Sequence, residues 1–221
     1  QREEIYRFFE TDETGAILSE IRRDVRDGDA YRSYDCLTAD GDTVYVLERL
    51  ADIQSDLILS ETVYRCDFER GRLETAWELP IADPSMDSNF AVQVRNGVLT
   101  FFQADYTGRR ATGSLMTMGA DGQAEELTSF PYDIGVGFTD FYYSASGAVA
   151  FTTPAGEIYV LDEEGEAQRR FPTVGDSFPL VLLSSDGGDT LLALGTDGKV
   201  YGLDLSGESR AEVLLDCLQR E

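Results

Sequence analysis

The chain has no histidine, one lysine, one tryptophan and three cysteines in 221 residues. Without an imidazole it cannot build a Ser-His-Asp or Cys-His nucleophile pair, an imidazole metal site or the ordinary general base near neutral pH. Cys36, Cys66 and Cys217 are odd in number and widely spaced, so they suggest neither a disulfide framework nor a C-x-x-C metal or redox pair. Long apolar runs are missing too. The longest is Pro179 to Leu183, far short of the roughly 18 residues of a membrane span. Positive charge is scarce: 18 Lys and Arg face 42 Asp and Glu, for a formal net charge of −24. Such a field repels phosphate backbones and anionic lipid, which argues against nucleic-acid and membrane-surface partners.

What is present is globular and repetitive. Leu, Ile, Val and Phe make up 26% of the residues, above the roughly 20% that marks disordered chains. Two kinds of tight turn alternate. Asp40-Gly41, Asn96-Gly97, Ser146-Gly147 and Gly187-Gly188 each divide two apolar runs, as hairpin turns with positive φ do. Thr14-Gly15, Arg70-Gly71, Asp121-Gly122, Glu164-Gly165 and Ser206-Gly207 form the second series. Successive glycines lie 56, 50 and 41 residues apart in the first series and 56, 51, 43 and 42 in the second. Two independent series drifting in step define a true period.

The segments after the first turns are apolar on both faces: Val44 to Leu47, Val98 to Phe102, Ala148 to Phe151 and Leu191 to Leu194. Strands of that kind are covered on both sides. The segments after the second turns, such as Arg72 to Trp77, are mixed and charged, which suits an outer edge strand. Each repeat therefore reads as four antiparallel strands, and the chain as an all-β propeller. Complete blades fall at 29–80, 90–131, 138–172 and 178–217, with a two-stranded half-blade at 4–24, for 18 strands. A stacked antiparallel β-sandwich is the alternative.

Ser184-Ser185-Asp186-Gly187-Gly188-Asp189-Thr190, with Leu191 to Leu194 and Gly198 to Leu205 behind it, resembles a blade of the TolB-like, WD-type and quinoprotein-like propellers. Gly147 to Phe151 with Gly156 to Asp162 is similar. The resemblance implies a propeller fold and leaves activity open. The Trp-Asp pair of the WD type is absent, since Trp77 precedes Glu78.

Candidate binding residues lie in the connections between blades. Leu79-Pro80, Phe130-Pro131 and Phe171-Pro172 end outer strands, and each is followed by a polar loop and then an aromatic residue. Within these loops Asp83, Asp87, Tyr132, Asp133, Asp140 and Asp176 have no evident structural duty. Strand polarity places them on the same face as the connections Arg49 to Ser60 and Ala104 to Thr112, while the opposite face carries only tight turns. Functional groups concentrate on elaborate loops. There Tyr106, Arg109 and Arg110 form a basic, aromatic island suited to a carboxylate or an acidic partner.

The clustered aspartates, Asp24, Asp27 and Asp29 or Asp83 and Asp87, lack calcium-loop spacing. They read as solvated turn carboxylates, with no cofactor expected and calcium the one alternative. The expectation is a non-enzymatic, extracytoplasmic recognition domain binding a protein, small molecule or carbohydrate, tied to the membrane only through a leader or anchor outside these residues. The rival is a carboxylate-based carbohydrate-active enzyme, which needs no histidine.

Overall fold

The computed structural model describes residues 4–85, 89–107, 111–132, 141–143, 149–152, 158–161, 167–171, 179–184, 190–195, 197–204 and 211–216. These hold 19 strands and no helix. They form two compact units, Gln1–Phe130 and Pro131–Glu221.

In the first unit, β1 (Ile5–Thr11) and β2 (Ile17–Asp24) form a two-stranded sheet. β3 (Arg26–Asp27), β4 (Ala30–Asp40), β5 (Thr43–Asp52), β6 (Ile58–Asp67) and β7 (Arg72–Glu78) follow in sequential order in a second sheet. β8 (Asn89–Arg95), β9 (Val98–Asp105), β10 (Ala111–Met118) and β11 (Ala124–Tyr132) make the third. All ladders with defined register are antiparallel, with β5 aligning Val46 on Leu37 and on Tyr64.

The expected count of 18 strands is one short. Arg26 and Asp27 fold back on Tyr31 and Ala30 through Gly28, whose φ is +62°. A two-residue strand is too short to leave a hydrophobic period in the sequence.

The turn chemistry explains the hairpins. Asn96 and Gly97 have φ of 50° and 73°, the paired positive values of a type I′ turn that matches strand twist. Packing then follows from alternation along β5, where successive side chains point to opposite faces. Tyr45 and Leu47 enter a core with Val63, Trp77, Val94, Leu99, Phe101 and Met118, joining the second sheet to the third. Val44 and Val46 face the other way, against Ile21, Phe8 and Cys66, joining it to the two-stranded sheet. Polar ties reinforce the first of these contacts. Trp77 Nε1 donates to Gly119 O at 2.9 Å, and Gly97 N donates to Asp40 Oδ2 at 2.8 Å. The outer strand β7 is charged, with Glu74 gripped by Arg65 and Arg72 and its carboxyl drawn down to about 2 by those two bonds.

The second unit repeats the pattern. β12 (Phe141–Tyr143), β13 (Val149–Thr152), β14 (Ile158–Leu161) and β15 (Ala167–Phe171) form one sequential sheet. β16 (Pro179–Ser184), β17 (Thr190–Gly195), β18 (Lys199–Asp204) and β19 (Ala211–Asp216) form another. Ala150, Ile158 and Val160 of the former pack on Leu191, Ala193, Tyr201 and Leu203 of the latter. At Gly202 a Cβ would lie 3.0 Å from Leu214 Cδ1, so a side chain here requires that half-exposed leucine to shift by a few tenths of an ångström.

Phe101 is fully buried, whereas Leu18 is 63% exposed. Phe101→Ala is expected to lower the unfolding free energy by about 3–5 kcal/mol in urea titrations, and Leu18→Ala by under about 0.5 kcal/mol.

Candidate functional site

In the first unit the β5–β6, β7–β8 and β9–β10 connections emerge at one end of the sheets. The strands reach further into this face than the sequence suggests. β5 continues to Asp52 and β6 resumes at Ile58; β9 continues to Asp105 and β10 resumes at Ala111. Arg49, expected in a connection, is therefore a strand residue and only 3% exposed.

Arg49 is the centre of a buried polar network. Its Nε donates to Glu61 Oε1 at 2.8 Å, and its two terminal nitrogens donate to the Asp35 carboxylate and to the Asn89 carbonyl. Asn89, fully buried at the first position of β8, donates through Nδ2 to Glu61 Oε2 and to Pro80 O, the latter at 2.8 Å. Gln103 Nε2 donates to Pro80 O at 2.8 Å and to Asn89 Oδ1 at 3.0 Å. Buried charges persist only when their hydrogen bonds are met. Here the partners come from two sheets and a connection, so the network fixes the β7–β8 chain to both.

One residue earlier, Glu48 faces the opposite way. It is 5% exposed and accepts from Tyr34 Oη and, at 3.3 Å, from Arg23 Nη2. Burial, followed by the bond to Glu48, pushes the Tyr34 phenol well above its ordinary value.

Above this base the loops are shaped by their aspartates. Asp52 Oδ1 accepts from Ser55 N at 2.7 Å and Ser55 Oγ at 2.8 Å. Asp83 Oδ1 takes Ser85 N at 2.9 Å and Ser85 Oγ at 2.6 Å. Asp105 Oδ1 takes Thr107 N at 2.8 Å and Thr107 Oγ1 at 2.6 Å. These bonds to the charged form lower all three carboxyls. For Asp52 the largest contribution is the Ser55 backbone bond; for Asp83 and Asp105 it is the side-chain hydroxyl. The Asp105 charge pulls Asp83 slightly the other way.

Ile58 N donates to Pro84 O at 2.7 Å, which pins the β7–β8 connection to β6. Tyr31 Oη donates to Asp56 Oδ1 at 2.6 Å. Beside these carboxylates Ile53, Leu57 and Leu59 stand 42%, 41% and 53% exposed. The β5–β6 connection and the start of β6 thus carry three exposed apolar side chains on the same short stretch as Asp52 and Asp56. Among the described residues no three acidic, thiol or imidazole groups converge as a metal site.

Of the residues singled out from the sequence, Asp83 and Tyr106 lie in these loops, Tyr106 half-buried. Tyr132 is not in a loop but is the last residue of β11, because Pro131 is accommodated within that edge strand. Asp87, Arg109, Arg110, Asp133, Asp140 and Asp176 lie outside the described residues. Sequence reasoning missed Asp52 and Asp105, although each precedes a Ser or Thr at turn spacing. It also missed Arg49, Glu61 and Asn89.

No family model matches the chain, and no curated protein matches it. Solved structures do. The Dos1 propeller superposes with a TM-score of 0.57 at 12% identity over 96% of this chain and 55% of that one. The Cps50 (Swd1) β-propeller domain of Myceliophteria thermophila gives 0.52 at 13% identity over 94% and 64%. An oligogalacturonate lyase in complex with manganese gives 0.53 at 11% identity over 90% and 59%. The chain thus spans under two-thirds of the length of each. At these identities the likeness defines the fold alone: this is an all-β propeller repeat protein.

Two expectations follow. Glu61→Gln, which removes the buried one of the two carboxylates that Arg49 contacts and leaves it Asp35, should cost about 1–3 kcal/mol in denaturant unfolding. Replacing Arg49, Glu61 and Asn89 together by apolar residues of similar volume should recover most of that loss. Because Asp52, Asp83 and Asp105 have depressed folded values, their contribution is full above the ordinary carboxylate range and is lost as pH falls through the lower folded values. The melting temperature should therefore drop between about pH 5 and pH 2, and less steeply in Asp52→Asn/Asp83→Asn/Asp105→Asn, as calorimetry across that range would read.

Proposed function

We propose that this chain is a non-enzymatic recognition propeller whose loop face binds a protein partner. Residues 29–80, 90–131, 138–172 and 178–217 act as its blades and 4–24 as a half-blade. We read it as the extracytoplasmic sensor or scaffold part of a membrane-anchored protein. The observation that supports this reading most directly is the exposed Ile53, Leu57 and Leu59 beside Asp52, Asp56 and Asp83. Apolar contacts rimmed by charge are the make-up of protein interfaces. The partner surface that fits is apolar and basic. Tyr106, Arg109, Arg110 and Asp87 are proposed as further binding residues of the first unit, the arginines receiving an acidic group, and Tyr132, Asp133, Asp140 and Asp176 as binding candidates of the second unit.

Structures similar in fold include, beside the Dos1 propeller, enzymes such as the oligogalacturonate lyase and a Porphyromonas gingivalis dipeptidyl peptidase 4. A glycosidase-like mechanism needs one carboxyl raised to act as acid. At Asp52, Asp83 and Asp105 the turn bonds drive the shift downward, which favours recognition. The reading requires no cofactor.

The test is hydrogen exchange and calorimetry on the whole chain with a synthetic peptide of alternating leucine and lysine. Protection is expected in residues 52–59 and 79–85, with Leu57→Ser/Leu59→Ser weakening binding about tenfold, or ~1.4 kcal/mol. Turnover of glycosides or polygalacturonate that survives purification and disappears in Asp83→Asn/Asp105→Asn would overturn the assignment.

A further inference from the structure

A second concave site lies at the opposite end of the first unit, between the two-stranded sheet and the sheet of β3 to β7. It is a cavity of about 370 Å³, within the range of small-ligand pockets. Phe8, Phe9, Val44, Cys66 and Phe68 supply its apolar walls. Phe9 remains 45% exposed there, an aromatic surface that the fold itself leaves open to solvent. Burial pushes the Cys66 thiol up to about 11, so at neutral pH it is an uncharged part of the wall rather than a nucleophile.

The charge at the rim is one-sided. Asp42 of the β4–β5 turn and Glu10 of β1 border the cavity and are exposed. Glu10 accepts from Ser19 Oγ at 2.8 Å through one oxygen. Among the described residues the one cation on the rim, Arg7, lies 3.5 Å from Glu20 and is offset by it. Anionic rim, phenylalanine walls and a net charge of −24 complement the same kind of ligand, since ring faces and carboxylates both attract cations.

We propose that this cavity binds a small hydrophobic ammonium ion, with the apolar group against Phe8, Val44 and Phe68 and the charged head toward Asp42. A ligand of this kind is held by two separable terms. Burial of the ring is independent of salt, and attraction of the head to an exposed carboxylate is screened by it. The site is separate from the loop face, so it stands or falls independently of the protein-binding reading.

Three probes of one shape separate the terms: phenethylammonium, 2-phenylethanol and phenylacetate, titrated into the whole chain by calorimetry and by NMR. The ammonium should bind tightest and the carboxylate weakest. Asp42→Asn should weaken the ammonium about two- to fivefold while leaving the alcohol unchanged, and added salt should have the same selective effect. Val44→Phe, which fills the cavity, should abolish binding of all three. Phe68→Ala should weaken all three, and because Phe68 is only partly buried at the β6–β7 turn this variant keeps the fold should the filled one fail. Equal affinities for the three probes, or shifts that avoid these residues, would overturn the proposal. So would a concentration-dependent dimer dispersed by Phe9→Ala, which would assign the cavity to a second copy of the chain.

Discussion

Strand β5 must be covered on both faces, and the rest of the first unit is arranged around that constraint. Its alternate side chains, Val44, Val46 and Glu48 on one side and Tyr45, Leu47 and Arg49 on the other, each need a neighbouring sheet. A sheet in isolation would leave one of those faces in water, at a cost of about 1.5–3 kcal/mol for each large apolar side chain exposed. One repeat therefore cannot bury its own apolar faces and needs a neighbouring sheet on each side, which is the physical content of a repeat architecture. The two-stranded sheet of β1 and β2 meets this need on one side with few residues. It brings Ile21 and Phe8 to the core and stacks Tyr6 and Phe8 edge-on against Tyr34, at ring-centroid distances of 4.8 and 5.0 Å.

The same strand also separates the two ends of the unit. Toward the tight turns its side chains are apolar and the joints are hydrophobic, tied by single bonds such as that from Gly97 N to Asp40. Toward the loops it carries Glu48 and Arg49, two buried charges that point to opposite neighbours, before it ends at Asp52. Apolar packing tolerates small sliding, but a network of directional bonds does not. The loop face therefore rests on the more sharply positioned end, and Asp52, Asp83 and Asp105 continue that order outward by tying down their own backbones. Exposed Ile53, Leu57 and Leu59 are thus presented on a preorganised support, which lowers the entropy a partner must remove on binding.

What could be read from the sequence divides along the same line. The turn series at Gly15, Gly41, Gly71, Gly97 and Gly122 was legible because positive φ demands glycine, and all five have it. Strand order and edge character followed from hydrophobic pattern. The polar joint was hidden. Arg49 and Glu61 look like surface residues at the ends of a loop, and Asn89 like the last residue of a polar linker, because a sequence does not show that each completes the other's hydrogen bonds 28 or 40 residues away. Periodicity reports burial only when burial is apolar. The aspartates illustrate the converse: Asp83 was conspicuous as a binding candidate, yet one of its oxygens is occupied in shaping its own turn.

The preference for arginine over lysine, striking by count alone only as an oddity of composition, has a structural reading in these joints. Arg49 reaches Asp35, Glu61 and the Asn89 carbonyl from one guanidinium, and Arg32 reaches Asp27, the Asp24 and Arg26 carbonyls and, at 3.5 Å, Glu48. A planar fork with five donors can satisfy acceptors from several strands at once, whereas an ammonium offers one point of charge. In a chain with 42 acidic residues and 18 basic ones, each cation placed inside must answer more than one oxygen. Arg49 and Arg32 are committed to such joints, while Arg7, Arg22, Arg65, Arg70 and Arg72 stay half-exposed beside surface carboxylates that outnumber them.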